Sequence, residues 1–133
     1  MEQYNKWYFR IAGLITFLGA LPLMLFPIQG TLMVWGIDIS SWPSISPLIG
    51  HWGVMVFGIG VLLYISSFKT ELRKPIIWYA LIEKAYMVSM GIFYAITDPS
   101  IGQHYSLATT VDSILILGGM VYLLRTKKTS SIQ

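Results

Sequence analysis

Phe68-Lys69-Thr70-Glu71-Leu72-Arg73-Lys74-Pro75 places three basic residues in a short polar gap between two long apolar runs. The same sign recurs at the chain ends. Lys6 and Arg10 precede the first apolar run, and Arg125, Lys127 and Lys128 follow the fourth. Eight of the nine Lys and Arg residues therefore fall on one side of a four-run pattern. The two gaps on the other side carry only Asp38 and Asp98. Cytoplasmic loops of membrane proteins hold the basic excess, so both termini are expected in the cytoplasm.

Composition points the same way. With 55% hydrophobic and 11% charged residues, a soluble domain of 133 residues is implausible. A helix needs about 20 residues to cross the hydrocarbon core, so four crossings leave no room for a second domain. The net charge of +3 is no nucleic-acid footprint, because the basic residues flank apolar runs and form no separate patch. The absence of cysteine excludes disulfides, thiolate metal sites and thiol catalysis.

The expected fold is an all-α membrane protein, an antiparallel bundle of four transmembrane helices spanning about 7–28, 47–68, 75–97 and 105–124. A signal peptide is the rival reading of the first run, but no A-x-A-like cleavage site follows it. Pro22 is expected to kink the first span. Ser46-Pro47 and Pro75 suit helix starts, and Thr97-Asp98-Pro99-Ser100 suits a turn. Aromatic residues gather at both expected interfaces: Trp7, Tyr8, Trp78 and Tyr122 inside, Trp35, Trp42, Trp52, Tyr94 and Tyr105 outside. The segment 29–46 is too apolar to float in water. It reads as an interfacial segment on the outer surface or as a lid over the bundle, with Trp35 and Trp42 as covering side chains. Thr126 to Gln133 reads as a polar tail without fixed structure.

Glycines are the packing residues of such bundles, and Gly13, Gly19, Gly50, Gly53, Gly58, Gly60, Gly118 and Gly119 are expected at helix crossings. Glu83, Lys84 and Asp112 are different in kind. Each lies well inside a span, where a charge costs about 2.5–3.5 kcal/mol on even the mildest insertion scale. Arg10 and His51 add one strongly polar group to each of the other two spans. Arg10, His51, Glu83, Lys84 and Asp112 are thus the candidate polar network, extended by Thr16, Thr109 and Ser113. Two pairings are expected: Arg10 with Glu83, and His51 facing a shared outer cavity with Asp112; the competing reading of His51 is an anchor for its helix at the interface. A purely structural role, with Lys84 reaching for the inner headgroups, is an equal reading of the charges.

Cofactor motifs are missing. His51 and His104 are the only imidazoles, and His104 reads as lying in or beside a loop, so neither haem nor a metal centre is expected. Nucleophile elbows, phosphate loops and dinucleotide fingerprints are absent.

Arg10-x-x-Gly13, Leu18-Gly19, His51-Trp52-Gly53, Arg73-Lys74-Pro75, Glu83-Lys84 and Asp112 together resemble the small four-helix bacterial proteins of the BphX-like and DoxX-like group. The resemblance covers nearly the whole chain and implies a bacterial inner-membrane protein. Small multidrug exporters differ, since their membrane-embedded Glu lies in the first helix. Sterol-isomerase-like domains share the residue types Glu, Asp and His, but not an alignable spacing. The expected function is binding of a small lipophilic molecule, or service as an accessory membrane subunit. The alternatives are a proton-coupled transporter working as an oligomer and a membrane enzyme on a hydrophobic substrate. Expected partners are the lipid bilayer, a small lipophilic ligand, and a second copy or another membrane subunit; nucleic acid is not among them.

Overall fold

The computed structural model describes residues 2–130, and these contain helices and connecting turns but no strand. The helices are α1 (Glu2–Leu25), α2 (Pro27–Trp35), α3 (Ser46–Ser66), α4 (Thr70–Thr97) and α5 (Pro99–Ser130), with a 3-10 turn at Pro43–Ile45 before α3. Four segments are long and apolar enough to cross a membrane: Glu2–Leu25, Pro43–Ser66, Thr70–Thr97 and Pro99–Thr126.

The exterior is apolar. Leu18, Ile82, Ile96, Leu107 and Leu117 are all more than half exposed, whereas charged Lys84 and Arg73 are buried at 5% and 3%. That inversion suits a solvent of hydrocarbon, in which an exposed Leu costs nothing and an exposed charge is penalised.

The helices pack as two close pairs. On α1, Gly13, Phe17 and Leu23–Met24 meet Tyr64, Gly60 and Gly53 of α3, so rising numbers on one helix face falling numbers on the other. A Cβ on Gly13 would lie 2.6 Å from the Tyr64 amide nitrogen and 2.7 Å from the Gly60 carbonyl oxygen. Only glycine permits that approach. On α4 and α5 the order is likewise reversed, Gly102 meeting Ala95 while Gly119 meets Ile77 and Leu81. Gly19 and Gly58 pack against nothing within 4 Å, so they are not crossing points.

Prolines set boundaries that differ from the expected ones. α1 stays helical through Pro22 and breaks at Phe26, whose φ of −138° and ψ of 70° are non-helical. The residue before a proline is pushed out of the α region, and Pro27 then opens α2 as its first residue. Segment 29–46 is therefore partly helical. α2 turns back onto α1, with Gly30 pressed against the Pro22 carbonyl, and ends on Gly36 at φ 67°, a left-handed cap. α4 begins at Thr70 rather than Pro75, so Pro75 lies inside it. α5 spans Pro99–Ser130, which places His104 on a helix and makes Thr126 to Ser130 helical; residues 131–133 lie outside the described residues.

A buried cluster of Phe9, Ala12, Ile59, Leu63, Ile77, Ala80, Leu115 and Tyr122 joins the two pairs near the basic end. Phe9 and Tyr122 meet edge to face at 5.1 Å, and Tyr8 Oη donates to the Leu115 carbonyl at 2.8 Å. Above this plug the helices leave a cavity.

Candidate functional site

The cavity has a volume of about 200 Å³ and takes lining residues from all five helices. Its polar groups are Thr16 from α1, Glu83 and Lys84 from α4, and Asp112 from α5. Trp35 of α2 and Trp52 of α3 also line it, their ring centroids 5.4 Å apart.

Lys84 is the centre of the polar group. Its Nζ donates to Asp112 Oδ1 at 2.7 Å and stands 3.9 Å from Glu83 Oε2. The first distance is a charge-assisted hydrogen bond; the second is contact between charges without a hydrogen bond. Lys84 is buried, so it does not reach for headgroups as the structural reading of the sequence allowed. Glu83 Oε2 and Thr16 Oγ1 are both buried without a hydrogen-bond partner. Two orphaned polar atoms among the lining residues of one cavity are unusual, because buried polar groups are nearly always satisfied.

The expected pair of Arg10 and Glu83 does not form. Arg10 stays at the basic end, its guanidinium 4.9 Å above the Phe68 ring and 5.8 Å from that of Trp7. At 1.5 Å per residue, Arg10 and Thr16 differ in depth by about 9 Å, and Thr16 is the α1 residue lining the cavity. His51 and Asp112 do not share a cavity either. The buried stripe of α3 is Gly53, Val56, Ile59, Gly60 and Leu63, and His51 lies about 200° around the helix from Gly53, at 100° per residue. His51 is exposed, and its neighbour Trp52 takes the cavity position.

The lid expectation divides in the same way. Trp35 roofs the cavity with Trp52 and lies 5.9 Å from Tyr105, which in turn stacks on Tyr94 at 6.3 Å. Trp42 is 69% exposed and covers nothing. His104, read from sequence as lying in or beside a loop, fixes the roof: its Nδ1–H donates to the Trp35 carbonyl at 3.0 Å. Thr109 packs against Gly91, and Ser113 bonds back to the Thr109 carbonyl, so neither extends the cavity's polar chain.

One residue was missed as a site residue. Arg73, counted from sequence only as an orienting charge, is 3% exposed and holds the basic end together. Its Nε donates to the Ser66 carbonyl at 2.8 Å and its Nη2 to the Ser67 carbonyl at 3.1 Å, capping the end of α3. The fork also grips both carboxylate oxygens of Glu2, at 3.0 and 2.8 Å.

A larger groove of about 890 Å³ runs beside Trp78, Ile82, Met120 and Leu124 on the outer flank of α4 and α5. Among the described residues, Lys74 is its sole charged lining residue and no set of polar groups converges in it. The small cavity is the candidate site. Comparison of the chain with protein-family models, with curated proteins and with solved structures finds no match in any of the three.

Proposed function

We propose that this chain is a multi-pass protein of the bacterial inner membrane, an antiparallel four-span bundle with both termini cytoplasmic, that binds a small lipophilic molecule between its helices. The distribution of eight basic residues against none supports the orientation. The resemblance to the BphX-like and DoxX-like group supports the compartment.

The binding reading is carried by one observation: Glu83 Oε2 and Thr16 Oγ1 lack hydrogen-bond partners among the lining residues of a cavity whose wall, apart from the Lys84–Asp112 pair, is apolar. Apolar walls with a few converging polar groups are the usual form of a small-molecule site. At about 200 Å³ the space suits a small molecule rather than a phospholipid. Those apolar walls favour binding, alone or as an accessory subunit of a larger membrane assembly, over catalysis.

Native mass spectrometry of gently extracted protein tests this. The wild type should carry a co-purifying small mass, and Ala108→Leu, which fills the cavity, should lose it while keeping its thermal midpoint. A bare wild-type spectrum in every mild detergent, or a mass retained by Ala108→Leu, would count against the proposal.

A further inference from the structure

We infer that the molecule held in this cavity is a small lipophilic amine, bound as its ammonium, with Glu83 as the residue that selects it. The inference rests on the lipophile-binding reading above and adds the chemistry of the headgroup.

Charge count is the starting point. The lining holds two carboxylates, Glu83 and Asp112, against one ammonium, Lys84; no other lining residue ionises. Lys84 is committed to Asp112 at 2.7 Å and stands 3.9 Å from Glu83. With all three ionised the site carries one uncompensated negative charge away from water, and a bound cation cancels it.

Geometry agrees. Glu83 presents a buried oxygen with no donor, and an ionised carboxylate oxygen can only accept. Thr16, on another helix and 5% exposed, presents a second buried oxygen without a partner. An alkylammonium brings N–H donors for both. Trp35 and Trp52 supply aromatic faces, the preferred neighbours of organic cations. A ketone or ester could accept from the Thr16 hydroxyl but would bring no donor to Glu83. The volume restricts the apolar body to about one ring or a short alkyl chain.

The test uses full-length protein in nanodiscs, titrated with cyclohexylamine and with cyclohexanol, which match in size and differ in charge at neutral pH. Calorimetry and tryptophan fluorescence read binding. Cyclohexylamine should bind at least about tenfold more tightly, the scale of one hydrogen bond to a charged group. Glu83→Gln should abolish that preference. Thr16→Val, which keeps shape and leaves the carboxylates alone, should weaken the amine severalfold, so the idea stays testable if Glu83→Gln does not fold. Equal binding of both probes, lost in Ala108→Leu, would overturn the amine and leave the lipophile site standing. Binding of neither probe would overturn both readings, as would amine binding that survives Ala108→Leu.

Discussion

Lys84 and Asp112 stand at equal distances from Asp98, fourteen residues to either side, and their side chains meet at 2.7 Å. The turn at Asp98 sets the register of α4 against α5, so the register itself brings the charges together. Removing one partner leaves the other charge uncompensated, which costs about 3–5 kcal/mol in buried pairs. Asp112→Leu and Lys84→Met should each lower stability by that order in detergent unfolding, whereas the double change Lys84→Met, Asp112→Leu should recover much of the loss. Strict additivity of the single effects would show that the pair contributes nothing.

Arg73 predicts an asymmetry. Arg73→Ala withdraws a buried donor from the Ser66 and Ser67 carbonyls and should cost on the order of 3 kcal/mol, given charged hydrogen bonds of about 1.5–3 kcal/mol each. Glu2 is 54% exposed at its side chain, so Glu2→Gln should cost only about 0–1 kcal/mol. Arg73→Lys should fall nearer to alanine than to wild type, because an ammonium cannot reproduce the fork. Urea unfolding of the three variants ranks them; equal losses from Glu2→Gln and Arg73→Ala would show that the ion pair, not the cap, matters.

The α1–α3 contact predicts opposite fates for two glycines of one helix. A side chain on Gly60 would run into the Phe17 backbone, so Gly60→Leu should cost about 1–3 kcal/mol or prevent folding. Gly58 has nothing within 4 Å of the added carbon, and Gly58→Leu should be neutral or mildly stabilising. Fluorescence-detected size exclusion after heating separates these outcomes.

Asp98 predicts a pH response at the α4–α5 turn. The Ser100 hydroxyl, which donates to Asp98 Oδ1 at 2.5 Å, and nearby backbone N–H groups hold its carboxyl below the ordinary aspartate value. A lowered folded value means the contribution is complete above the unfolded pKa and fades as pH falls through the folded one. Ser100→Ala should move the Asp98 midpoint up toward the ordinary value in a side-chain carboxyl NMR titration. An unmoved midpoint would remove the hydroxyl from the account.

Orientation can be read on a background that has no cysteine. Asp98→Cys should react in intact cells with a membrane-impermeant maleimide, and Lys69→Cys only after the cells are opened. The reverse pattern would invert the proposed topology.

Hydropathy and loop charge made the four spans legible, because each apolar run is long and its flanks differ in sign. Helix ends were less so. Pro27 and Pro75 are the same residue type, yet one opens a helix and the other lies inside one. The cavity residues Glu83, Lys84 and Asp112 were visible as charges out of place, and Thr16 as a polar neighbour. Their pairing was not, since Arg10 and His51 look equally available until helix rotation is known. The α3 stripe from Gly53 to Leu63 held that information, and it turns His51 outward. Arg73 escaped notice because its charge already had an explanation as part of the basic gap.

The grip of Arg73 on Glu2 joins residues 71 positions apart. Glu2 is made long before Arg73, and this clasp cannot fasten it until α4 has begun to emerge. The start of α1 must therefore wait for this contact through the synthesis of α1, α2 and α3. The clasp closes only when the second half arrives, so the order of biosynthesis decides when this end of the first helix is secured.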